Sequence, residues 1–186
     1  MAMPLTHRRF TVDEYHRMAE TGILTPDDRV ELLDGQIVPM TPIGVRHAAC
    51  VTALTNLLAR AMVGRALLSP QNPVRLDRFG EPQPDIAVLA PRADGYRSRH
   101  PGPGDVLLLI EVADASVESD RKTKIPLYAR HAIPEVWLVD LTAGRIEVYR
   151  EPTEGEYAHR QVLDRGATLR PHLLPFLSIE ASEILG

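Results

Sequence analysis

The segment Val106-Leu107-Leu108-Leu109-Ile110-Glu111-Val112 is apolar at every position but one. It shows no alternation and follows the turn residues Pro103 and Gly104. Such a run reads as a strand covered on both faces, at the centre of a sheet with helices on each side. Glu111 is then the anomaly to be explained. A carboxylate inside a buried strand carries a heavy desolvation cost unless it is protonated, paired with a cation or bound to a metal. A core ion pair with Arg or Lys is one answer, and a metal site is the other.

The rest of the chain supplies the partners such a strand needs. Thr11-Val12-Asp13-Glu14 has the form of a capping box, opening a short helix through about Ala19 that Gly22 ends. Two apolar runs between Val30 and Met40 flank Asp34-Gly35, a tight-hairpin signal. Val51, Leu54, Leu58 and Met62 recur at helical spacing within Val45 to Val63, and Gly64 follows. Ala66 to Leu76 and Gln83 to Leu89 read as strands, and the polar segment Pro91 to Gly104 as a surface loop. A helix is expected over Thr123 to His131, then strands at Glu135 to Asp140, Arg145 to Arg150 and Tyr157 to Leu163. The apolar tail from Leu173 ends in a helical stretch, Ile179 to Leu185. A mixed sheet with helices on its faces is the natural packing, and 186 residues fit one domain spanning 1–186.

Cys50 is the only cysteine, so no intrachain disulfide forms, which suits a reducing compartment. The N-terminal MAMPLTHRRFTVDEY carries charges and no apolar core, unlike a secretory signal. The longest apolar run is far too short to span a bilayer. Together these predict a cytoplasmic protein without membrane contact. The formal net charge of −4 runs against the basic footprint usual in nucleic-acid binding. Clustered metal-binding carboxylates offset part of that objection, since the ion neutralises them.

Pro84-Asp85 opens the apolar Ile86-Ala87-Val88-Leu89, leaving Asp85 at the edge of a strand. Two strand-borne carboxylates that converge make a hard-oxygen site suited to Mg²⁺ or Mn²⁺. Taken alone, Asp85 is as well explained as a turn carboxylate, and Glu31 as a solvated acid beside the hairpin. Lys122 and Lys124 are the only lysines, and a lysine near such a site stabilises charge on phosphate or steers a water. Arg46-His47 stands at a helix start, where either side chain could meet a phosphate but a surface location is the plainer expectation, and Asp120 is expected to cap a helix or pair with Lys124. Trp137 is expected in the core. Arg92, Arg97 and Arg99 make the most basic loop and the best candidate to graze a nucleic-acid backbone.

Taken in order, Glu31-Leu32-Leu33-Asp34-Gly35, Arg46-His47, Pro84-Asp85-Ile86-Ala87-Val88, Ile110-Glu111-Val112, Asp120-Arg121 with Lys124, and Tyr128-Ala129-Arg130 followed by Ile133-Pro134-Glu135-Val136-Trp137-Leu138-Val139-Asp140 form a pattern. It resembles a large bacterial family of restriction-endonuclease-like proteins, formerly a domain of unknown function, within the PD-(D/E)XK nuclease superfamily. The resemblance runs from about Phe10 to Leu177. It implies a restriction-endonuclease-like α/β core and a Mg²⁺- or Mn²⁺-dependent endonuclease acting on DNA. Asp85 and Glu111 would be the metal pair, Glu31 a further metal or water contact, and Lys124 the catalytic lysine relocated to a helix. In the usual motif the lysine stands two residues after the acid, where this chain has Ala113. Residues 111–116 depart from the family's usual loop sequence, and Pro126 falls where helix formers are usual, so the helix either starts near Lys122 or bends there. A homodimer is expected, with the apolar hairpin from Trp137 to Tyr149 as a possible interface. The alternative is a non-catalytic nucleic-acid- or protein-binding module that keeps the nuclease fold.

Overall fold

The computed structural model describes residues 7–186; the first six, part of the segment read for a leader, lie outside it. Helix α1 (Val12–Glu20) begins at the expected capping box: the Glu14 amide donates to the Thr11 hydroxyl, and the Thr11 amide donates to the Glu14 carboxylate. Strands β1 (Val30–Leu33) and β2 (Gln36–Pro39) form the predicted hairpin. Its two turn residues, Asp34 and Gly35, both have positive φ, at 50° and 79°, the conformation an Asp-Gly turn favours. A side chain at position 35 would also collide with Arg9. Helix α2 (Val45–Met62) buries Cys50, Val51, Leu54, Leu58 and Met62, the stripe expected from its spacing.

Strand β3 (Leu67–Pro70) is shorter than the sequence suggested, and β4 (Ile86–Leu89) starts three residues later than expected. Pro70, Pro73, Pro82 and Pro84 explain the difference, because none can donate to a ladder. The intervening chain is irregular but not loose: Val74 is fully buried and Leu76 nearly so. A short 3₁₀ turn leads into β5 (Val106–Ala113), and α3 (Val117–Arg130) crosses over to β6 (Glu135–Asp140). Strands β7 (Arg145–Thr153) and β8 (Glu156–Asp164) follow, then the short pair β9 (Thr168–Leu169) and β10 (Ile179–Glu180), and α4 (Ala181–Leu185).

The main sheet has the order β3-β4-β5-β6-β7-β8, antiparallel throughout except for the parallel pair β5–β6. β5 lies in its interior, as its unbroken apolar run requires. On one face Leu108, Ile110 and Val112 pack with α2 and α4; on the other, Leu109 and Ala113 pack with α3. The period of two along a strand puts Glu111 on the α3 face. Helix α3 is continuous from Val117, six residues earlier than expected, with Pro126 inside it. Pro126 cannot donate to the carbonyl of Lys122, yet the burial of Ile125, Leu127 and Tyr128 holds the helix together through that point. Trp137 is fully buried, as predicted. The hairpin β6–β7 is interior to the sheet, and Trp137, Val139, Ile146 and Val148 pack within this chain. It therefore offers no surface for a second copy, contrary to the expectation from its apolar character. No helix among the described residues is long and apolar enough to cross a membrane.

Candidate functional site

The side chains singled out in the sequence meet at one end of the sheet. Glu111 lies at the end of β5 where that strand outruns β4, since Ile110 is paired with Ile86, the first residue of β4. Asp85, one residue before β4, therefore stands beside Glu111, and its carboxylate accepts the Val112 amide at 2.8 Å. The hairpin β1–β2 is docked by a bridge between Leu32 and Glu81, which turns Glu31 inwards. Helix α3 then lays Lys124 across the group. Its Nζ is 3.2 Å from Glu31 and 3.3 Å from Glu111. All four predicted residues line one cleft of about 500 Å³.

Three further residues belong to this cluster. Tyr128 is fully buried and donates its hydroxyl proton to Glu111 Oε1. Asp120 lines the cleft and accepts from the Ser116 hydroxyl at 2.7 Å. His47, expected at the surface, instead stands in the cleft wall with Nε2 3.1 Å from the Asp85 carboxylate. The first two were within reach of sequence reasoning. Asp120, Lys124 and Tyr128 are spaced by four on one helix, which stacks them on one face. His47 is separated from Asp85 by 38 positions, and nothing local signals that meeting.

The electrostatics are lopsided. Asp28, Glu31, Asp85, Glu111, Asp114 and Asp120 line the cleft, against Arg29 and Lys124 as permanent cations. Burial pushes Glu111 up to about 8, with Lys124 pulling it down and Asp85, Asp120 and Glu31 adding to the rise. Burial likewise raises Asp120, against the pull of Lys124. For Lys124, burial favours losing the proton, but Glu111, Glu31, Asp120 and Asp85 together outweigh it and hold the ammonium above its usual range. The hydrogen bond to Asp85 raises His47 despite its partial burial. Both oxygens of Glu31 are engaged: Oε1 faces Lys124, and Oε2 accepts the Gln83 amide at 3.0 Å. Among the described residues, no three His, Cys, Asp or Glu side chains are grouped to hold a metal by themselves.

Other candidates do not join the site. Lys122 is largely exposed and lies 3.4 Å from Glu118. The arginine-rich loop leaves β4 at Leu89, paired with Val106 at the far end of β5, so it is at the opposite end of these strands from Asp85 and Glu111. Arg92 is tied to Asp94 and Arg99 to Asp105 within the loop, while Arg97 is exposed.

A family model, Uma2, described as "Putative restriction endonuclease", matches residues 12–182. The chain belongs to this family. That is the family its ordered motifs resemble. No curated protein matches the sequence. The crystal structure of a protein described as a putative nuclease belonging to DUF820, from Anabaena variabilis ATCC 29413, is similar at a TM-score of 0.73 and 17% identity, over 95% of this chain and 97% of that one. At that identity the likeness speaks to fold, and the Uma2 chain has the restriction-endonuclease-like α/β fold with a mixed six-stranded sheet.

Proposed function

We propose that this Uma2-family chain is a divalent-metal-dependent nuclease that hydrolyses phosphodiester bonds, with DNA as substrate. The observation that carries the reading is the convergence of Asp85, Glu111 and Lys124, from three separate elements, on one cleft. Its donors are hard oxygens, and its surplus of carboxylates over cations is what a divalent ion would offset. Residues and ion therefore fit on charge and donor type. Mg²⁺ commonly takes one or two carboxylates and completes its shell with water and phosphate, so Asp85 and Glu111 suffice as its protein ligands. Mn²⁺ is read in the same way. Once bound, the ion would polarise the phosphate and lower the pKa of an attacking water.

The chain's own groups act around that centre. The Val112 amide holds Asp85, while Tyr128 and Lys124 orient Glu111. Lys124 keeps its proton, so its role is a fixed positive charge donating from Nζ to the phosphate as negative charge builds there, not that of a base. Glu31 acts through Lys124, whose Nζ lies 3.2 Å from its Oε1, while the Gln83 backbone amide holds its other oxygen. A polyanion entering so acidic a cleft meets repulsion unless the ion enters with it, which makes DNA binding itself metal-dependent.

The alternative, a non-catalytic binding module, draws on Ala113, which stands where the superfamily motif has its lysine. It predicts binding indifferent to metal and to Lys124. The discriminating experiment is cleavage of supercoiled plasmid in Mn²⁺, with a chelated control, by the wild type and by Asp85→Ala, Glu111→Ala and Lys124→Ala. Loss of cleavage in all three folded variants supports the nuclease reading. Equal cleavage by wild type and the Asp85→Ala and Glu111→Ala variants refutes it.

A further inference from the structure

We infer that His47 is a positioning residue for Asp85: its Nε2–H fixes the carboxylate and so ties metal affinity to the first turn of α2. The inference rests on the metal-site reading above and adds a residue to it. Asp85 lies in irregular chain just before β4, where its backbone carbonyl accepts the Gln71 amide at 2.9 Å. Among the described residues its side chain has two donors, the Val112 amide at 2.8 Å and His47 at 3.1 Å. The amide belongs to the sheet and cannot move, but a single hydrogen bond leaves a carboxylate free to swing about it. The imidazole supplies the second point.

The imidazole is itself held at the right place. His47 is the third residue of α2, and the residue before it anchors that turn: Arg46 donates to Asp114 at 2.9 Å and to the Leu141 carbonyl. The ring is largely covered, its side chain 15% exposed. Its other nitrogen, Nδ1, is buried with no partner among the described residues. Among the described residues the contact with Asp85 is the one polar interaction that this ring makes. Such outer partners orient metal-binding carboxylates and histidines, and their loss typically weakens metal affinity by about 10- to 100-fold.

The test is Mn²⁺ titration by calorimetry on the metal-free full chain: wild type, Asp85→Ala, and His47→Ala, His47→Asn and His47→Gln. The glutamine amide can reach the place of Nε2 and donate to Asp85; the asparagine amide stops near the place of Nδ1. Expected are a drop of about 10- to 100-fold for His47→Ala and His47→Asn, recovery of most of the affinity in His47→Gln, and similar thermal unfolding of the three in chelator. Wild-type affinity in His47→Ala, or a loss in His47→Gln as large as in His47→Ala, overturns the positioning role while Asp85→Ala still loses the ion. If the wild type binds no Mn²⁺, or Asp85→Ala binds it equally well, the metal reading fails and this inference falls with it.

Discussion

Glu111→Gln should make the protein more stable while removing a carboxylate from the proposed metal site. Burial pushes the Glu111 carboxyl from its ordinary 4.5 up to about 8. In the window between those values the group is protonated in the fold and ionised in the unfolded chain. Unfolding there releases a proton, so stability falls as pH rises, by about 1.4 kcal/mol per pH unit. Glutamine does not titrate and escapes this slope. Relative to it, the wild type is penalised by about 3 kcal/mol at pH 7 and by under about 1 kcal/mol at pH 5. The amide oxygen can still accept from Tyr128, and Lys124 keeps Glu31 at 3.2 Å. Allowing for the partner Lys124 loses, the expected net gain at pH 7 is about 1–2 kcal/mol, several degrees in Tm for a chain of this size. Urea unfolding in chelator, followed by the fluorescence of Trp137, the only tryptophan, at pH values from 5 to 8, measures it. A stability difference that stays flat with pH, or a glutamine variant less stable than the wild type at pH 8, would show Glu111 ionised against Lys124 and refute the reasoning.

Tyr128→Phe leaves Glu111 Oε1 without its buried donor; a loss of about 1–3 kcal/mol is expected by urea unfolding, with weaker Mn²⁺ binding by calorimetry. Glu147 makes the opposite pH prediction to Glu111. Its side chain is fully buried; burial alone would raise it, but hydrogen bonds from Arg121 and Tyr149 and the charges of Arg121 and Arg160 pull it down to about 2. Its stabilising effect is present above 4.5 and is lost as pH falls towards about 2. Glu147→Gln should cost about 3–5 kcal/mol at neutral pH by urea unfolding, and that difference should shrink across the acid window.

The sequence made much of the fold legible because the signals are local. The capping box at Thr11, the Asp34-Gly35 turn, the α2 stripe and the β5 run each depend on neighbours within a few positions. Where strong local signals competed with proline the reading slipped: Ala66 to Leu76 looked like one strand, but Pro70 and Pro73 end it early. The start of α3 was missed for the converse reason. Pro126 suggested a break there, while the tertiary burial of Ile125, Leu127 and Tyr128 carries the helix through it.

By itself, then, the sequence determined that a carboxylate would sit in the central strand, that a second would stand at the head of another apolar strand, and that two lysines would follow. It also determined, through the order of its motifs, the family. Only the tertiary structure decided that Lys124 lies between two carboxylates while Lys122 stays exposed, that this face of α3 turns into the site, that His47 meets Asp85, and that the arginine loop faces the other way. The physical reason is that spacing along a chain fixes which face of one element a residue takes. Which faces meet is set by sheet register and by how helices pack on the sheet, and these are settled by the burial of the whole core at once.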